Sequence, residues 1–164
     1  MRGSSHWVCT GMNVMSDLGR QGANAMTYIV SGACHCRNLS FELFTRTAPG
    51  DIRARACDCR FCQIHAARNW SDPEGSVTIR ITDERHLQKY RFGLQTADFY
   101  ICRRCGTYLG AILSDDEANW STVNLRTTEL AVSEEAASYG AEDALGRIMR
   151  RKRVWTPTII TAGA

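Results

Sequence analysis

Seven of the eight cysteines stand in three short clusters: Cys34-His35-Cys36, Cys57-Asp58-Cys59-Arg60-Phe61-Cys62 and Cys102-Arg103-Arg104-Cys105-Gly106. Thiolates at C-x-C and C-x-x-C spacing are close enough to share one metal ion, and zinc accepts all-sulfur coordination. A structural zinc is closed by four protein ligands, whereas a catalytic zinc keeps three and leaves a fourth position for water or substrate. Cys34, Cys36, Cys102 and Cys105 supply two ligands plus two, enough for a closed structural zinc. Cys57, Cys59 and Cys62 supply three, enough for a second zinc with one open position. Acting through that metal, these three are the candidate catalytic residues. The expected complement is two zinc ions per chain, the second more labile because fewer protein ligands hold it.

Other readings of the same cysteines are weaker. Neighbouring side chains in these spacings are poorly placed for unstrained disulfides. A secreted disulfide scaffold is usually shorter and follows an apolar leader, and no such run occurs in Met1 to Cys9. C-x-x-C also serves as a dithiol switch, the stronger competitor. His65, three residues after Cys62, is a rival fourth ligand that would close the second site and make it structural.

The chain has 164 residues and a net charge of +3. That length suits one domain with an adequate core. The charge alone does not imply a nucleic-acid partner, and no stretch has the ~20 apolar residues that cross a bilayer. Thiolate ligands need reducing surroundings, so the cytoplasm is the expected compartment.

The elements that must position the cysteines are mostly strands. Leu39, Phe41 and Leu43 alternate with Ser40 and Glu42, as Val77, Ile79 and Ile81 do with Thr78 and Arg80, the period-2 signature of a half-buried strand. Shorter strands are expected at 89–92, 97–101, 107–113 and 120–125, with turns at 48–51, 71–75 and 114–116. Cys34 and Cys36, placed on a strand, would point to one face. A helix is expected near the end, capped by Ser133 or starting later near Ala141 because Gly140 interrupts it, and closing with Arg147 to Arg153. The segment after Pro157 reads as extended. Residues 1–25 show no hydrophobic period and read as a flexible extension, with Met15 or Met26 as alternative starts; residues 26–164 form the single zinc-binding domain. Cys9 has no expected role.

Arginines crowd the cysteine segments: Arg53, Arg55, Arg60, Arg68, Arg103 and Arg104. Part of this set is a solvated surface. The rest would form a positive rim that attracts a small anionic thiol and offsets a thiolate-rich zinc.

The order of motifs carries a resemblance. Ser31-Gly32-Ala33-Cys34-His35-Cys36, the six-residue cluster at Cys57, Tyr90-Arg91-Phe92-Gly93, the cluster at Cys102 and Val123-Asn124-Leu125-Arg126 together resemble the glutathione-dependent formaldehyde-activating enzyme family, from Tyr28 to Thr127. The resemblance implies a mainly β fold of stacked antiparallel sheets, a β-tent related to zinc ribbons, with a short C-terminal helix. It implies the same two zinc sites and a carbon–sulfur lyase that condenses glutathione with formaldehyde or another small aldehyde. The partners would be that small thiol and aldehyde, with no membrane. The alternative is a non-catalytic zinc module binding protein or nucleic acid, as centromere-associated relatives suggest. Arg147 to Arg153 would then contact DNA.

Overall fold

The computed structural model describes residues 26–163. The expected flexible extension, residues 1–25, lies outside them. In chain order the elements are β1 (Tyr28–Ala33), β2 (Leu39–Thr45), β3 (Arg53–Cys57), α1 (Arg60–Ile64), β4 (Asn69–Trp70), β5 (Ser76–Ile81), β6 (Leu87–Tyr90), β7 (Asp98–Cys102), β8 (Tyr108–Ser114), β9 (Asn119–Asn124), β10 (Ser133–Ala137), α2 (Ala144–Val154) and β11 (Thr156–Ala162). The fold is mainly β, as expected, with a short helix near the C-terminus.

Alternation decides which faces are inside. Leu39, Phe41 and Leu43 of β2 are buried, and so are Val77, Ile79 and Ile81 of β5. The two strands pair antiparallel with Phe41 opposite Ile79, which places both apolar rows on one face. These residues meet Ala54, Tyr100, Leu109, Ile112 and Val123 from β3, β7, β8 and β9 in one core cluster. Strands distant in the pairing order therefore pack face to face.

Strand β9 is where the sheet forks. Along one edge it pairs with β8 throughout, from Gly110 opposite Val123 to Ser114 opposite Asn119. Along the other, Asn119, Trp120 and Ser121 pair with β11, while Val123 and Asn124 pair with β4. One arm continues through β11, β5, β2 and β1, the other through β4, β3 and β10. A Cβ at Gly110 would stand 2.5 Å from the Thr122 carbonyl oxygen, so this close approach of β8 to β9 requires glycine.

Three expectations need correction. The pairing is antiparallel except at two places: β10 runs parallel to β3 and β11 parallel to β5, so the sheet is mixed. Ser133 starts no helix. It opens β10, whose carbonyl at Ala137 accepts from Asp58 N–H at 3.0 Å, so the segment is committed to supporting the cysteine loop. The helix begins at Ala144, after Gly140, with Asp143 as its cap accepting from Gly146 N–H at 2.7 Å; the later start near Ala141 was close. Finally, Cys34 and Cys36 follow β1 in a turn rather than lying on a strand.

Candidate metal centres and active-site cavity

Two turns build the four-sulfur cluster. After β1 the chain folds so that Arg37 N–H donates to Cys34 C=O and Cys34 N–H to Leu39 C=O, both at 2.8 Å. Arg37 adopts a left-handed φ of 61° to do so. After β7, Gly106 N–H returns to Cys102 C=O at 2.8 Å, with Gly106 at φ 72°. No atom lies within 4 Å of a hypothetical Cβ there, so glycine serves backbone conformation rather than space.

The Sγ atoms of Cys34, Cys36, Cys102 and Cys105 all lie within 4.8 Å of one another. Cys34 and Cys36 sulfurs are 3.7 Å apart, Cys36 and Cys102 3.4 Å. A tetrahedron with metal–sulfur distances of about 2.3 Å has edges of about 3.8 Å, so the donor set fits zinc in number, type and spacing. Cys34 and Cys102 are buried. Burial pushes the Cys34 thiol up to about 12, so a metal must displace protons to bind here. Leu39 N–H, 3.3 Å from Cys34 Sγ, and Thr107 Oγ1, 3.3 Å from Cys105 Sγ, would steady the ligands.

The second cluster sits where β3 runs into α1. Cys57 ends β3, Cys59 caps α1 by accepting from Cys62 N–H at 3.5 Å, and Cys62 lies within the helix. Their three sulfurs also lie within 4.8 Å of one another. A hydrogen bond with Cys62 holds the Cys57 thiol down to about 6, while the same bond and burial push Cys62 up. Asn69 Nδ2 donates to Cys62 Sγ at 3.6 Å, and Asn69 Oδ1 accepts from the buried Tyr108 hydroxyl at 3.1 Å. Such outer contacts orient a metal ligand. His65 is not grouped with these sulfurs. Its ring packs 4.4 Å from Phe61 and 5.8 Å from Tyr108.

All three cysteines open onto a cavity of about 400 Å³. Phe92, Phe99, Tyr108 and Trp155 form its apolar side, and the Phe92 and Phe99 rings pack with centroids 4.6 Å apart at a tilt of 46°. Four arginines form the other part of the lining: Arg55, Arg147, Arg150 and Arg151. Of the six arginines grouped by sequence, the structure brings only Arg55 to the cavity. Arg68 pairs with Glu134, Arg103 bonds Gln88, and Arg53 bonds backbone carbonyls. The sequence gives no expectation for Asn69 or Tyr108, and it offers Arg147, Arg150 and Arg151 as a nucleic-acid contact rather than as cavity lining. For Arg147, Arg150 and Arg151 a signal existed, because spacings of three and four put them on one helix face. For Asn69 and Tyr108 there was none, since their meeting depends on β4 and β8 flanking β9.

The arrangement can hold two metal ions, one enclosed and one at a cavity that admits a small molecule. A Rhodobacter sphaeroides protein of known crystal structure is 26% identical, aligned over 64% of this chain and 99% of its own, with a TM-score of 0.45. A comparison with curated proteins gives no match. The family described as glutathione-dependent formaldehyde-activating enzyme matches residues 29–140. That stretch holds every clustered cysteine together with Asn69 and Tyr108, and it stops before α2. With most of its length matched and both sulfur clusters assembled within the match, the chain belongs to the glutathione-dependent formaldehyde-activating enzyme family.

Proposed function

We propose that this chain is a zinc-dependent carbon–sulfur lyase acting on a thiol–aldehyde adduct, joining glutathione or a similar small thiol to formaldehyde or another small aldehyde. The observation that carries the reading is the convergence of three cysteine sulfurs, with no fourth ligand among the described residues, on the wall of a cavity of about 400 Å³. Cys34, Cys36, Cys102 and Cys105 would hold a structural zinc. Cys57, Cys59 and Cys62 would hold the second. A zinc there, when bound, favours the thiolate form of a substrate thiol and can polarise a carbonyl oxygen. In the reaction the sulfur–carbon bond forms as the carbonyl π bond opens, and the thiol proton ends on the oxygen. The reverse step breaks the same bond.

The chain's own residues supply the rest. Asn69 fixes Cys62, and Phe92, Phe99 and Trp155 line the cavity and limit its water. The arginines offset the negative charge that three thiolates and a substrate thiolate bring together. Reduced ligands suit a reducing compartment such as the cytoplasm, and no described helix is long and apolar enough to cross a membrane.

No observation favours the nucleic-acid reading. Arg147 and Arg150 pair with Glu142, Lys152 pairs with Asp115, and Arg151 is buried. The basic run is largely consumed inside the fold.

Mild chelation tests the proposal. It should remove about one zinc per chain without unfolding, and abolish glutathione–formaldehyde condensation above the spontaneous rate. His65→Ala should keep both metals. Turnover that survives loss of the labile metal, or metal release by His65→Ala, would remove the reading's physical support.

A further inference from the structure

The four cavity arginines are not equivalent. Glu142 takes Arg150 at 2.5 Å and Arg147 at 3.2 Å, and Arg150 also lies over the Tyr139 ring at 4.2 Å. Arg55 Nη2 donates to two neutral hydroxyls, Ser71 Oγ at 2.7 Å and Thr122 Oγ1 at 3.2 Å. Arg151 is 8% exposed and stacks over Trp155 at 4.6 Å. Its Nη1 donates to Thr96 Oγ1 at 2.6 Å, and its buried Nε has no partner among the described residues. Neither Arg55 nor Arg151 has a carboxylate within ion-pair distance among the described residues.

A buried cation without a counter-ion is costly. Buried Arg151 and half-buried Arg55, on the wall of one cavity, mark a place for an anion. With Nη1 engaged and Nε enclosed, Arg151 keeps Nη2, which makes no hydrogen bond among the described residues, for a charge-assisted hydrogen bond to an anion. No cysteine sulfur lies within hydrogen-bond reach of Arg151 among the described residues, so the thiolates do not already use this nitrogen.

We propose that Arg151, with Arg55 adding charge, is a carboxylate-binding subsite of this cavity, and that the preferred substrate is an adduct carrying a carboxylate. The substrate part of this statement rests on the thiol–aldehyde reading above; the anion binding does not. Arg147, Arg150 and Arg151 lie beyond the stretch matched to the family, residues 29–140, so α2 adds selectivity to a shared metal centre. The carboxylate can arrive on the thiol, as in glutathione, or on the aldehyde, as in an α-oxo acid such as glyoxylate.

Substrate pairs of similar size test this on the full-length, zinc-loaded protein and its Arg151→Met and Arg151→Lys variants. One arm compares 3-mercaptopropionate with 3-mercapto-1-propanol, using formaldehyde. The other compares glyoxylate with glycolaldehyde, using 2-mercaptoethanol. The readout is the ratio of kcat/KM for the charged over the neutral partner. The protein should favour the anion in at least one arm, which identifies the carboxylate's source. Both variants should lower that ratio by about 10- to 100-fold, the size of a charge-assisted hydrogen bond. Arg151→Lys keeps the charge and guards against a folding failure of Arg151→Met.

Calorimetry with non-reacting S-methylglutathione and succinate supplies a readout free of turnover. Binding should weaken at least about tenfold in the variants, and inorganic phosphate should compete poorly. Unchanged ratios with unchanged carboxylate binding overturn the proposal. So does a uniform slowing of every substrate with loss of zinc, which would assign Arg151 to charge balance of the thiolates. Phosphate binding more tightly than either carboxylate also overturns it. Carboxylate binding lost in the variants of a protein that shows no turnover keeps the subsite and removes the lyase reading. Turnover with unchanged ratios does the reverse.

Discussion

Replacing Asn69 by alanine should loosen the labile metal far more than replacing the tyrosine beside it. Asn69 is 8% exposed and makes two contacts, accepting from Tyr108 and donating to Cys62 Sγ. Asn69→Ala frees Cys62 to change rotamer, and loss of such an outer partner costs about 10- to 100-fold in metal affinity, equivalent to about 1.4–2.8 kcal/mol. It also strands the Tyr108 hydroxyl, buried in a residue only 2% exposed, at a further stability cost of about 1–3 kcal/mol. Tyr108→Phe removes one hydrogen bond but leaves Asn69 on Cys62. It should cost about 1 kcal/mol of stability and leave the metal nearly as tight. The double variant should be more stable than the sum of the two single losses predicts, by about 1–2 kcal/mol, because no stranded hydroxyl remains. Chelator competition reads the metal, and guanidinium unfolding at fixed free zinc reads the stability. If Tyr108→Phe releases the metal as readily as Asn69→Ala, or the two losses simply add, the hydrogen-bonded chain from Tyr108 to Cys62 is not what orients the ligand.

Cys102→Ser should yield insoluble or unfolded protein, because a structural zinc contributes on the order of 10 kcal/mol, comparable to a domain's net stability; a soluble, cooperatively folded variant with unchanged zinc content would refute the four-cysteine assignment. Gly106→Ala should cost about 1–2 kcal/mol through its left-handed φ of 72° alone, measured as a modest fall in unfolding midpoint. Gly110→Ala should cost clearly more, since its Cβ meets the Thr122 carbonyl oxygen at 2.5 Å and the sheet cannot yield cheaply; equal costs for the two would mean that β8 can shift.

Both sulfur clusters were legible because cysteine spacing is local and thiolates at two or three residues' separation have few other uses. The β-rich core was legible for the same kind of reason: Leu39, Phe41 and Leu43 alternate within a single strand. What escaped depends on strands far apart in sequence. Strand β3 reads Arg-Ala-Arg-Ala-Cys, with no apolar row to betray it, yet Ala54 is fully buried. Strand β10 reads Ser-Glu-Glu-Ala-Ala, a good helix opening by propensity. Its parallel pairing with β3 overrides that preference, as tertiary context commonly does. The turn at Cys34 is not separable from a strand by sequence, because C-x-C satisfies a strand's geometry as well as a turn's.

Of the six arginines expected beside the cysteines only Arg55 lines the cavity, and the other five stay away for a physical reason. Proximity in sequence to cysteines placed Arg60, Arg68, Arg103 and Arg104 under suspicion, but surface side chains find water or a partner nearby, as Arg68 does with Glu134. The other arginines that reach the cavity, Arg147, Arg150 and Arg151, come from a helix about 90 residues further along the chain than the second cysteine cluster, brought there when β11 pairs with β9. The two sulfur clusters are joined by a shorter path. Cys105 of the closed cluster is followed at Tyr108 by the start of β8, and Tyr108 bonds Asn69, which bonds Cys62 of the open one. Loss of the enclosed metal should therefore disorder the support of the second before it touches the ligands themselves. That order would make the four-sulfur cluster a precondition for the proposed chemistry as well as for the fold.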